Sequence, residues 1–171
     1  VREDATQRVM GAAEAAESLG FSTVWVVDHV VFPEKLEGYA FNPLDPFLEP
    51  MTVLGALALK TKRVKLGTAV LVLPYRHPLY TAKALATVDG LSGGRLVVGV
   101  GAGWLEGEFN AFGVPIAERG SRTNETIDIL KALWTEETPS YHGKHFQFGN
   151  IKALPQPIQK PRPPILVGGM T

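Results

Sequence analysis

Short apolar runs separated by stretches of helical spacing dominate this chain, and that alternation limits its possible folds more than any single motif does. Thr23-Val24-Trp25-Val26-Val27, Val64 to Leu73, Arg95 to Val100 and Ile165 to Val167 each read as a buried strand. Val9, Ala12, Ala13, Ala16 and Leu19 recur at helical intervals ahead of the first run, with Asp4 and Gln7 placed as a capping pair and Gly20 as the stop. Pro50 opens a second helix to about Thr61. Leu79, Ala82, Leu85 and Ala86 form one face of a third, which closes at Ser92-Gly93-Gly94. Ile127, Leu130 and Trp134 share a stripe on a fourth. Strands that alternate with helices imply a parallel sheet with right-handed crossovers. A closed barrel of eight such units takes roughly 250 residues, so this chain supplies about half of one.

The remaining properties narrow the class. At 171 residues the chain reads as one domain spanning 1–171, and 17 acidic against 17 basic residues leave no electrostatic footprint for nucleic acid or an anionic membrane. It has no cysteine, which removes disulfides, thiolate catalysis and thiolate metal sites. No apolar stretch approaches the ~20 residues of a membrane span. The first residues are amphipathic rather than leader-like, so a soluble, cytoplasmic protein is the expectation. A start at Val1 and a stop at Gly168-Gly169-Met170-Thr171, directly after a strand, read as a domain truncated at both ends.

In a parallel α/β barrel, chemistry collects at the carboxyl ends of the strands. Asp28 and His29 follow the first run there. An imidazole titrates near neutrality, and a neighbouring carboxylate orients it or favours its charged form, which suits acid-base work; the plainer reading is a turn cap beside a packed ring. Gly99, Gly101 and Gly103 alternate at a second strand end, but Trp104 stands where the dinucleotide fingerprint needs its third glycine, so that motif fails. Either a flat ring or phosphate approaches this backbone, or a turn needs the glycines. Gly168-Gly169 repeats the pattern. Small residues in Gly67-Thr68-Ala69-Val70 interrupt a strand, where a bulge is the usual cause.

Other segments are less pointed. The connection from Val30 to Glu49 carries Phe32, Tyr39, Phe41 and Phe47, an aromatic content that favours a functional loop. Arg76 and His77 lie in a strand-to-helix loop on the same face, within reach of an anionic group. Trp104 to Arg119 reads as irregular, and Arg119, Arg122 and Glu125 as a solvated helix start. Tyr141 to Leu154 reads as a hairpin turning at Gly143-Lys144 or a bulged strand, with His142 and His145 as surface histidines and no metal site.

Together, AESLGFSTVWVVDH (Ala16 to His29), EPMTVLGALALKTKRVKLGTAV (Glu49 to Val70), PLYTAKALATVDGLSGGRLVVGVGAGWLEGE (Pro78 to Glu108), ERGSRTNETIDILKALW (Glu118 to Trp134) and PQPIQKPRPPILVGG (Pro155 to Gly169) resemble the bacterial luciferase-like superfamily of flavin- and coenzyme F420-dependent oxidoreductases, most closely its F420-dependent branch. The resemblance implies a TIM (β/α)8 barrel, present here as an incomplete amino-terminal half lacking the first strand. It implies that Asp28 and His29 lie against the cofactor ring, with His29 exchanging a proton with the substrate. It further implies a non-prolyl cis peptide at Ala69-Val70 behind the ring, a ring-lining loop at Ala102, Gly103 and Trp104, and a phosphate-end loop at Gly168 and Gly169. Some F420-dependent dehydrogenases of the family carry glutamate where this chain has Trp104. The expected function is hydride transfer between coenzyme F420 and a small organic substrate, in a protein that is a homo-oligomer when complete. The alternatives are a monooxygenase using reduced FMN and a non-catalytic flavin- or deazaflavin-binding protein.

Overall fold

The computed structural model describes residues 3–34 and 46–169, so Tyr39 and Phe41 lie outside the described residues. Helix α1 spans Glu3–Ser18, and Asp4 therefore sits inside it rather than capping it. Its end is as expected: Phe21 N–H donates to the Ala16 carbonyl and Gly20 N–H to that of Glu17, closing a Schellman turn around Gly20 at φ +81°. Leu19 falls beyond the helix and is exposed. Strand β1 covers Thr23–Val26. Helix α2, Pro50–Lys60, starts with proline at its first position and with the Glu49 carboxylate accepting from Thr52 N–H.

The run from Val64 to Leu73 forms two strands, β2 (Lys65–Thr68) and β3 (Leu71–Val72), separated by a cis peptide at Ala69-Val70. The interruption thus falls after Thr68, and Gly67 sits inside β2. Helix α3 is Pro78–Ser92, capped by Gly93 in the left-handed region at φ 67°, and β4 is Leu96–Gly101. The stretch expected to be irregular contains helix α4, Glu106–Ala111, and a 3-10 turn, Ile116–Glu118. Helix α5, Arg119–Thr135, buries Thr126, Ile129, Leu130, Leu133 and Trp134, while Ile127 is only half-buried. The hairpin is real: β5 (Tyr141–His142) pairs antiparallel with β6 (Gln147–Phe148). Strand β7, Ile165–Val167, ends the described order.

All pairings in the main sheet are parallel, in the order β1-β2-β4-β3, with β7 also on β4. The sheet is open, not a closed barrel. One face is dry: Leu66, Leu71, Leu73, Leu96, Val98 and Val100 pack with Leu54, Leu57, Leu85, Leu130 and Trp134 of α2, α3 and α5. The registers Trp25↔Gly67 and Gly67↔Val97 define the opposite face, where the Trp25 indole lies across Gly67 in space that any side chain would occupy. Trp25 and Leu166 lie on that face and are exposed, and Val167, in register with Val100, is exposed as well, so β1 and β7 are not the buried strands their apolar composition suggests.

Polar side chains tie the connections down. Arg95 donates to the carbonyls of Ala58, Thr61, Val64 and Ser92 and to Thr61 Oγ1, gathering the ends of α2 and α3 under the start of β4. Buried Asp89 accepts from Ile158 N–H, Gln159 N–H and the Gln159 amide, fixing the proline-rich connector to α3. Glu17 accepts from the N–H groups of Lys62, Arg63 and Val64. The Val64 and Arg63 hydrogen bonds are the main reason its carboxyl is lowered to about 2. A depressed carboxyl stabilises the fold above its unfolded value, and this contribution fades as pH falls from about 4.5 to about 2. Protection factors at Lys62 to Val64, corrected for the intrinsic exchange rate at each pH, should therefore fall across that window in the wild type. In Glu17→Gln they should be low already at neutral pH, and equal protection in both proteins would show that the clamp contributes nothing.

Among the described residues no helix is long and apolar enough to cross a membrane.

Candidate active site

The sheet has two concave regions of similar size. An apolar cleft of about 580 Å³ between α1 and β1, lined by Val9, Ala13, Ala16, Val24 and Val26, offers no titratable side chain among the described residues. The other, about 650 Å³, lies at the carboxyl ends of β1, β2, β4 and β7. It is bordered by Asp28, His29, Ala69, Val70, Ala102, Gly103, Trp104, Gly168 and Gly169, so residues drawn from four separate strand ends meet around one space. Only the second carries chemistry, and its size falls in the usual range for small-molecule sites.

Its floor is mostly backbone. A side chain at Gly99 would collide with the Thr68 carbonyl, and Gly103, at φ +75°, leaves only 2.6 Å between an added Cβ and Val72 Cγ1. The Val70 side chain fills the space between Gly101 and Gly168. Gly99 and Gly101 are thus required by the protein's own packing within β4, and of the three only Gly103 has the positive φ that the turn reading called for. The result is nevertheless a shallow, apolar, nearly featureless surface of the kind on which a planar ring can lie.

His29 forms one wall. Its ring packs near those of Phe32, Phe47 and Trp104 at centroid separations of 4.8, 5.4 and 5.9 Å, the last two edge-on. The carboxylate bonded to it is not its neighbour Asp28. Glu108 Oε2 stands 3.2 Å from His29 Nδ1, and Glu108 Oε1 accepts from Val30 N–H at 2.8 Å. The side chains of His29 and Glu108 are 13% and 2% exposed. The sequence concealed Glu108 behind 78 intervening residues and inside a segment read as irregular. A signal existed: Leu105, Glu108 and Phe109 have helical spacing, which sets one charged group on an otherwise apolar, buried stripe.

Asp28 does something else. Its side chain is wholly enclosed, and its oxygens accept from Val72 N–H at 2.9 Å and from Arg76 Nε and Nη2 at 3.0 and 2.6 Å. Burial alone would lower the Arg76 pKa, but hydrogen bonding to Asp28 and its charge outweigh that and raise it. Arg76 is therefore committed to the protein, with a further contact to Glu49, and His77 caps α3 by accepting from Leu79 N–H. Neither stands as the anion-binding group their loop suggested. Beneath Glu108, the Tyr75 ring stacks on Phe112 at 4.6 Å. Its buried hydroxyl lacks a well-formed hydrogen bond and is driven strongly upward in pKa by burial, then by the charges of Asp28 and Glu108.

Two polar groups outside the cavity also depart from expectation. His145 is not a surface residue: its side chain is 4% exposed, between Ser121 Oγ at 2.8 Å and Glu118 at 3.5 Å. Glu125 accepts from the N–H groups of Lys144, His145 and Phe146 and so fastens the hairpin to α5.

An open parallel α/β sheet thus carries a polar pair and a glycine-lined hollow at its strand ends. The sequence pattern of the luciferase-like monooxygenase family matches residues 2–171, and the chain belongs to that family. An uncharacterized protein of Mycobacterium tuberculosis, Rv0953c, is 42% identical over 92% of this chain and 58% of its own length. The FMNH(2)-dependent dimethylsulfone monooxygenase of Pseudomonas putida is 40% identical over 71% of this chain and 34% of its own. An F420-dependent secondary alcohol dehydrogenase, solved with an F420-acetone adduct, superposes with a TM-score of 0.82 at 25% identity, over 97% of this chain and 49% of that one. The chain thus spans about half the length of these proteins, or less.

Proposed function

We propose that this chain is the amino-terminal part of a (β/α)8 barrel oxidoreductase that transfers hydride between coenzyme F420 and a small organic substrate. The observation that carries the reading is a titratable ring, His29, held by a buried carboxylate at the rim of a flat apolar cavity. The cavity suits a tricyclic ring: its floor from Gly101 to Gly103 has no side chain beyond the Ala102 methyl, its wall at Trp104 and Phe47 is aromatic, and Gly169 leaves open backbone at the far rim. When bound, a deazaflavin supplies or accepts the hydride. The protein's part is then to align the ring on the glycine floor, exclude water with Phe32, Phe47 and Trp104, and move a proton at His29 Nε2. The structural likeness to an F420-dependent dehydrogenase, which extends over nearly the whole chain, supports this.

A second reading, a monooxygenase using reduced FMN, is favoured by the likeness to the dimethylsulfone enzyme. In that reading the same dry face protects oxygen chemistry from water. The test uses the full chain: titrate it with F420 and with FMN, then assay oxidation of reduced F420 against a panel of small carbonyl and hydroxyl compounds, and dioxygen uptake with reduced FMN. Tight F420 binding with substrate-dependent oxidation is the expected result. Dioxygen uptake with reduced FMN alone would transfer the assignment to the monooxygenase, and tight binding without either turnover would make this a cofactor carrier.

A further inference from the structure

Glu108 is a buried charged residue to which the proposed reaction gives no step of its own. Glu108 is enclosed on α4, on a stripe shared with Leu105 and Phe109, and both of its oxygens point to the loop that follows β1. Burying a carboxylate is costly unless it is hydrogen-bonded, and the partners chosen here are Val30 N–H, Val31 N–H and the ring nitrogen of His29. We infer that Glu108 is the positioning residue of the site: it fixes the orientation and tautomer of His29 and so decides which ring nitrogen serves the cavity.

The argument is one of donor and acceptor. An ionised carboxylate only accepts, so a bond from Oε2 to Nδ1 requires the proton on Nδ1. In that tautomer Nε2 is the basic nitrogen of the neutral ring. The two N–H groups on Oε1 keep the carboxylate from rotating away, so loop and ring are set by one side chain. Among the described residues, Tyr75, whose neutral hydroxyl adds no charge, and the Asp28–Arg76 pair, whose charges meet each other, also lie near Glu108.

This inference rests on the reading of His29 as the proton-handling group, and its test is chosen to be independent of turnover. The full chain, without cofactor, is labelled with ¹⁵N in its histidine rings and titrated by NMR. In the wild type the neutral His29 ring should carry its proton on Nδ1. In Glu108→Gln the ring should redistribute between tautomers, since the amide presents a donor as well as an acceptor to Nδ1. Glu108→Asp keeps an acceptor-only group and should restore most of the wild-type tautomer. A wild-type ring protonated on Nε2 overturns the inference, and this measurement needs no variant to fold. A Glu108→Gln protein with lowered melting temperature but unchanged tautomer overturns it as well, reducing Glu108 to a loop anchor. The two readings separate cleanly: normal turnover in His29→Ala alongside an altered tautomer in Glu108→Gln would remove the catalytic role and leave the positioning role in place.

Discussion

Replacing His29 by alanine in the full chain should lower turnover by about 10²- to 10⁴-fold, the usual scale for losing a general acid or base. The ring borders the cavity and is tied on one side to Glu108, so its removal deletes the proton path without disturbing the glycine floor. Cofactor affinity should change far less, because in the proposed binding mode most of the contact area would belong to the backbone of Gly101 to Gly103 and to Trp104. The variant leaves the Glu108 carboxylate one partner short, yet the N–H groups of Val30 and Val31 remain on it, which limits the cost to folding. Turnover and cofactor affinity measured together decide the matter. Wild-type turnover would demote His29 to packing and strengthen the carrier reading, whereas a parallel collapse of affinity would mean that the ring supports the cofactor instead of exchanging a proton.

What could be read in the sequence follows from how local each determinant is. Helix α2 announced itself through Pro50 and α3 through Ser92-Gly93, because starts and stops depend on a few adjacent residues. The strands were visible as apolar runs, and their parallel arrangement followed from the helices between them. Burial was not: Trp25 and Leu166 sit on the sheet face away from the helices, which composition cannot distinguish from the dry one. The site shows the same division. Strand ends and small residues located all nine candidate positions around one cavity, since a parallel sheet brings its carboxyl ends together by construction. The pairing of charges was illegible, because adjacency in the chain suggested Asp28 for His29 while the backbone turns the two side chains to different partners. Glu125 and His145 were misjudged for a similar reason: a hairpin packing back on α5 converts apparently solvated groups into a clamp.

Asp28 carries the largest expected effect on stability, and the structure alters the role that its position suggested. The carboxylate accepts Val72 N–H across the Ala69-Val70 interruption and two donors from Arg76, joining the end of β1 to β3 and to the loop before α3. Asp28→Ala leaves a guanidinium only 13% exposed with Glu49 as its remaining acidic partner, and an N–H group with none of its present acceptor. Breaking a buried pair by removing one member costs about 3 to 5 kcal/mol, because the other charge stays desolvated. Asp28→Asn should fall between, since its amide keeps one acceptor oxygen but turns donors toward a cation. The double variant Asp28→Ala with Arg76→Ala should lose less than the sum of the two single variants, as expected for groups whose main interaction is with each other. Denaturant melts of the four proteins supply the cycle, and turnover should track the folded fraction throughout. Strict additivity would deny the pairing. An Asp28→Asn protein of wild-type stability with strongly reduced turnover would return Asp28 to the chemistry, and the cavity would then hold two acid-base groups in place of one.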